Sequence, residues 1–144
     1  MQINSSSSLS VCCEFFVPAE SVFDAIINPE LIRKWFVASP AVEVTEVHVD
    51  ATYHGHYSIL QKDINTNQII GYSGTFREIE RPRRLVFKLN APELFSDEAE
   101  VDIQISAIEK GCRLNLEQYG SANEIMKEQW KTMLQQLKLS LEIW

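Results

Sequence analysis

The spacing of apolar side chains changes period late in the chain, and this change restricts the architecture more than any single motif does. Apolar and polar residues alternate over 42–49, 53–60, 69–79, 85–90, 99–108 and 112–118. Alternation places every second side chain on one face, so each segment reads as a half-buried strand. The phase slips near Glu46, which is how an extra residue in a strand shows itself. Turn residues separate the segments: Asp50, "DINTN" at 63–67, "ERPRR" at 80–84, "NAPELFSD" at 90–97 and "EKG" at 109–111. Connections this short join antiparallel neighbours, because parallel pairing needs a crossover of a dozen residues or more. From about Ser121 the period becomes three and four, through Met126, Trp130, Met133, Leu134, Leu137, Leu141 and Trp144. Lys127, Glu128, Lys131, Gln135 and Lys138 occupy the other side, which describes a long amphipathic helix. Ser121 and Glu124 stand at capping-box spacing at its start.

Before the meander, residues 9–17 alternate with Leu9, Val11, Cys13, Phe15 and Val17 on one face, giving a first strand. Pro18 then opens "PAESVFDAI", with Val22, Phe23, Ile26 and Ile27 at helical spacing, until Asn28 and Pro29 break it. A second short helix, "PELIRKWF", follows at once and ends on two large rings, Trp35 and Phe36. The chain therefore reads as α+β: a strand, two short helices, an antiparallel meander and one long helix laid across a sheet face. Each larger side chain of the helix stripe is worth about 1.5–3 kcal/mol on full burial, so the helix belongs to the core.

With 144 residues, 45% of them hydrophobic, the chain is expected to form one domain over 1–144, with residues 1–8 a frayed start. A net charge of -7 argues against nucleic acid or an anionic membrane as a partner, since both need a dense positive field. The basic cluster Arg81, Arg83 and Arg84 around Pro82 reads as a solvated turn. No apolar stretch reaches the roughly 18 residues that would span a bilayer, and "MQINSSSSLS" lacks the basic and apolar regions of a signal peptide. A cytoplasmic location is the expectation. Cys12, Cys13 and Cys112 form an odd set without metal spacing and read as reduced, structural thiols.

Chemistry-bearing motifs are few. His54 and His56 stand two apart, a spacing metal sites use, but a third ligand among His48, Asp50 or Glu78 is a guess, so no metal is expected. Tyr53, Gly55, Tyr57 and Ile59 form the more apolar alternate set, which turns both histidines towards solvent. No cysteine or serine lies in a nucleophile elbow, and nothing calls for a cofactor.

Several separated segments together resemble one family. "VPAESVFDAIINPELIRKWF", "GTFREIERPRRLVFKL" and "GCRLNLEQYG" followed by "EQWKTMLQQLKLSLE" are similar to the START-like superfamily. Within it they resemble the homologues of the activator of the heat-shock protein 90 ATPase. The resemblance runs from about Leu9 to Leu141, with Trp130 at the family's tryptophan position. It departs at "HGHY", where His54 stands in place of the first residue of a common Gly-Gly pair and Tyr57 keeps the aromatic place.

The resemblance implies a helix-grip fold, a curved antiparallel sheet of six to seven strands around the carboxy-terminal helix with an apolar cavity between them. Trp35 and Phe36 would then lie at the cavity mouth, covering a ligand or plugging the gap. Trp35, Phe36, Tyr57, Phe76, Phe87, Trp130, Met133 and Leu137 are the expected ligand-binding residues for a small apolar, aromatic or lipid-like molecule. Two other readings stay open. One is a co-chaperone-like domain that binds a protein, with a role in stress response; the other is a cyclase or hydrolase acting on a cavity-bound substrate. A monomer or weak homodimer is expected.

Overall fold

The computed structural model describes residues 7–142; the expectations for residues 1–6 and for Trp144 lie outside the described residues. Ten elements follow one another: β1 (Ser8–Phe15), α1 (Ala19–Ile27), α2 (Pro29–Trp35), β2 (Val42–Val49), β3 (His56–Asp63), β4 (Ile69–Glu80), β5 (Arg84–Leu89), β6 (Ala99–Ile108), β7 (Gly111–Tyr119) and α3 (Glu124–Glu142). The seven strands form one antiparallel sheet in the order β1-β7-β6-β5-β4-β3-β2. β2 to β7 are sequential neighbours, as the short turns require, and β1 closes the far side against β7. The sheet curls around α3, with α1 and α2 on the same side. This is the helix-grip fold.

Local chemistry explains the element ends. The Asn28 carboxamide oxygen accepts from the backbone N–H groups of Glu30 (2.8 Å) and Leu31 (3.4 Å), while Pro29 occupies the first turn, where no donor is missed. α3 is capped differently from the sequence expectation. Asn123 accepts from the Met126 N–H at 2.8 Å, whereas Ser121, at φ 51, donates its hydroxyl to the Asp97 carbonyl. Ser121 thus ends the β7 turn and leaves capping to Asn123.

The slip near Glu46 is a β-bulge, with Thr45 as the extra residue between Val44 and Glu46. The cluster at 80–84 is the β4–β5 hairpin, and each arginine there holds a carboxylate: Arg81 with Asp24, Arg83 with Glu80, Arg84 with Asp102 and Glu78. β1 begins at Ser8, and the Ser7 carbonyl accepts from the Gly120 N–H at 2.8 Å.

β3 starts three residues later than its alternation implies. Residues 50–55 form a turn closed by Thr52 N–H to Asp50 O (2.8 Å) and Gly55 N–H to Thr52 O (2.7 Å). His54 sits in it at φ 67, a left-handed conformation that favours glycine. Gly55 itself has no room for a Cβ, which would lie 2.1 Å from the Asp50 carbonyl oxygen. Tyr53 is consequently 67% exposed beside His54, and the inward phase of β3 is carried by Tyr57, Ile59 and Gln61.

Candidate ligand cavity

Inward-facing side chains of the curled sheet meet α2 and α3 at a small void. β5 supplies Leu85, Phe87 and Leu89, β3 supplies Tyr57 and Ile59, and β4 and β2 add Phe76 and Val49. The helices close it with Ile26 of α1, Ile32 and Trp35 of α2, Phe36 at its end, and Trp130 of α3. The void measures about 40 Å³. That is room for a few small atoms, well below the roughly 150 Å³ that admits a benzene-sized guest.

The wall is hydrocarbon because every polar tip near it is engaged elsewhere. The Trp35 indole N–H donates to the Ala25 carbonyl at 3.1 Å, and that of Trp130 donates to the Gln118 carboxamide oxygen at 2.8 Å. Gln118, fully buried, passes its own N–H groups to the carbonyls of Gly120 and Ser121. The Tyr57 hydroxyl donates to the Lys88 carbonyl at 2.6 Å. Burial, reinforced by the charge of Glu98, holds this phenol well above its ordinary pKa. Neutral and bonded outward, it adds only its ring to the wall.

Two aromatic clusters flank the void. Phe36 packs edge-on against Trp35 (5.5 Å), Tyr72 (4.9 Å) and Trp130 (6.3 Å). Tyr57, Phe76 and Phe87 form the second, with centroids 5.5 to 6.3 Å apart. Tyr72 is buried enough for its phenol to be pushed up to about 12, with a further push from Glu93. Trp35 and Phe36, the rings that end "PELIRKWF", are 4% and 5% exposed and line the void.

Six of the eight residues expected to bind a ligand line the void: Trp35, Phe36, Tyr57, Phe76, Phe87 and Trp130. Met133 and Leu137 do not; they are buried further along α3, because a helix crossing a curved sheet brings only one turn, that of Trp130, to the void. Ile26, Ile32, Val49, Ile59, Leu85 and Leu89 were not foreseen as lining. Aliphatic residues carry no mark separating cavity wall from core, although the inward phase shared with Phe87 points to Leu85 and Leu89.

Among the described residues, no carboxylate, histidine, lysine or cysteine lines the void. His54 lies in the turn before β3 and His56 on its first residue, and among the described residues no three His, Cys, Asp or Glu side chains are grouped to hold a metal. Cys12 is exposed, Cys13 half-buried and Cys112 buried, all three as free thiols. No helix among the described residues is long and apolar enough to cross a membrane.

Comparison with known proteins supplies the family. A crystal structure of a protein from Chromobacterium violaceum superposes with a TM-score of 0.86 at 18% identity, covering 94% of this chain and 96% of that one. A protein from Nitrosomonas europaea gives 0.79 at 21% identity, covering 94% of each chain. The solution structure of an AHSA1-like protein from Aeromonas hydrophila gives 0.81 at 23% identity, covering 94% and 92%. A search of curated proteins found no match. The sequence model "Activator of Hsp90 ATPase homolog 1-like protein" matches residues 17–142, and the chain belongs to that family, within the START-like fold.

Proposed function

We propose that the chain works as one ligand-binding domain, taking up a small flat or branched apolar molecule between the sheet, α2 and α3. The observation that carries this reading is the wall itself: a void of about 40 Å³ bounded by aromatic and aliphatic groups whose polar tips all bond elsewhere. An empty volume of that size costs on the order of 1 kcal/mol at about 24 cal/mol per Å³, which a guest would recover.

Size decides how such a guest enters. The void is too small for a ring system, so Trp35 and Phe36 must move outward with the end of α2, a helix of seven residues. Exposing two such rings costs about 3–6 kcal/mol, and burying about 400 Å² of guest returns about 10 kcal/mol before association costs. The difference, about 4–7 kcal/mol before association costs, places the expected affinity weaker than micromolar. Among the described residues, the wall holds no carboxylate, imidazole, amine or thiol, which favours binding over turnover.

The test follows the indole N–H signals of Trp35 and Trp130 by NMR while fatty acids, sterols, flavonoids and small aromatics are added. Binding in the cavity moves both together and saturably, and raises the melting temperature by the amount set by RT ln(1 + [L]/Kd). If neither signal moves with any compound, the rings are a closed plug and the reading is wrong.

A further inference from the structure

Three polar or charged residues are buried among the described residues: Gln61, Asp102 and Gln118. Asp102 is paired with Arg84, and Gln118 uses both ends of its carboxamide, the oxygen for the Trp130 indole and the amide for the carbonyls of Gly120 and Ser121. Gln61 uses one end. Its amide donates to the Phe36 carbonyl at 2.8 Å, and among the described residues no donor reaches its oxygen. The residue is 6% exposed, so little water reaches it, and an unmet acceptor in the interior is destabilising.

The place of Gln61 in the sheet gives that oxygen a use. The inward row of β3 runs Tyr57, Ile59, Gln61; the first two line the void, and Gln61 follows roughly 7 Å further along the strand. Phe36 joins the two places, since it lines the void and its carbonyl holds the Gln61 amide. Tyr72, diagonal to Gln61 across the β3–β4 ladder, packs edge-on against the Phe36 ring at 4.9 Å. A guest that displaces this ring therefore takes up space bounded by Tyr72 and Gln61 as well as by the hydrocarbon wall.

An acceptor without a partner selects a donor. The carboxamide oxygen is met by an O–H or N–H group and left unmet by a hydrocarbon or an ether. Charge does not suit the site. Among the described residues no lysine, arginine or histidine lines the void to pair a carboxylate, and Glu93 already puts negative charge near Tyr72. An ammonium would leave water for a single neutral acceptor.

We infer, on the ligand-binding reading of the cavity, that Gln61 sets the class of guest: a small apolar body bearing one neutral hydroxyl or N–H group. That group donates its hydrogen to the Gln61 carboxamide oxygen, at the end of the cavity where the Phe36 ring lay.

The probes are toluene, p-cresol and 4-methylanisole, added to the intact chain while the Trp35 and Trp130 indole signals and the side-chain amide signals of Gln61 are followed by NMR. Of these, p-cresol is expected to bind about tenfold tighter than toluene, against the usual penalty for placing a hydroxyl in a hydrocarbon site, and it alone moves the Gln61 signals. The ether keeps the oxygen without a donor and shows no such gain. Gln61→Met keeps an unbranched side chain and abolishes the advantage of p-cresol while toluene still binds. Equal affinity for toluene and p-cresol, a gain shared by 4-methylanisole, or an advantage that survives in Gln61→Met overturns the role of Gln61 and leaves the cavity reading standing. If none of the three compounds moves the indole signals, the cavity reading itself falls, and the selectivity with it.

Discussion

Away from the cavity, where β1, β7, α1 and α3 meet, Phe15, Val22, Leu114, Leu116 and Leu137 are all fully buried, and none of them lines the void. Around β3, β4 and β5 the same sheet meets the other end of α3 through aromatic rings, and there a void of about 40 Å³ remains. Burial is nearly equal in the two regions; what differs is shape. Branched aliphatic side chains interdigitate, whereas rigid rings held edge-to-face leave gaps that no rotamer fills.

The largest test removes volume from each region. Leu137→Ala is expected to cost about 2–5 kcal/mol, towards the upper end, because the close-packed surroundings collapse little. Leu85→Ala, in the cavity wall, belongs at the lower end, since Leu85 already lacks partner atoms on its void side. Urea melts of both variants check this. Equal costs would mean that the void does not loosen its surroundings.

Trp130 joins the two regions, and its indole bond can be removed while keeping a ring. Trp130→Phe leaves the carboxamide oxygen of fully buried Gln118 without its 2.8 Å donor, for an expected loss of about 1–3 kcal/mol in a thermal or urea melt. Adding Gln118→Leu should not restore stability, because the Gln118 amide also serves the carbonyls of Gly120 and Ser121. Full restoration would show that this network is not the link between β7 and α3.

Legibility in the sequence follows the same division. The change of period laid out the strands, the order of elements and the long helix, because binary patterning is set by burial on one face and burial is what the sheet and α3 share. It even located the bulge at Thr45 as a slip near Glu46. The 50–55 turn was not legible: Tyr53, Tyr57 and Ile59 alternate as a strand would, and only the backbone shows His54 at φ 67. In the cavity, aromatic residues were the ones foreseen, and Leu85, Leu89 and Ile59 were not, since a side chain lining a void and one packed in the core have the same hydrophobicity. Met133 and Leu137 lie away from the void, for position along a helix crossing a curved sheet is a tertiary property.

Adding volume should separate the regions again, more gently. Val22→Leu inserts a methylene into a fully buried site on α1 and is expected to cost about 1–3 kcal/mol. Val49→Leu directs the same methylene at the void, where about 0.8 kcal/mol of burial offsets the strain, so its melt should stay near that of the wild type. The same variant should weaken any guest that shifts the Trp35 and Trp130 signals. A Val49→Leu variant as unstable as Val22→Leu would indicate that the void is not available to a side chain.

The smallest effect concerns the phenols beside the rings. Tyr72 titrates near 12 in the folded chain, pushed up by burial and by Glu93, against about 10 in an unfolded one. Because the folded state holds its proton more tightly, the stability this provides is fully present below about pH 10 and is lost as pH rises through about 12. Tyr57 is raised too, by burial and by Glu98, and contributes in the same sense. Stability measured from pH 9 to pH 12 should therefore fall, and fall less steeply in Tyr72→Phe. Tyr57→Phe should flatten the fall as well, and should in addition lower stability by about 0.5–1.5 kcal/mol at neutral pH, the worth of its bond to the Lys88 carbonyl. A guest that opens the cavity by lifting Phe36, whose ring meets Tyr72 at 4.9 Å, exposes that phenol and lowers its pKa towards 10. Alkaline titration of Tyr72 with and without a bound compound thus reports whether the aromatic region opens while the aliphatic one stays closed.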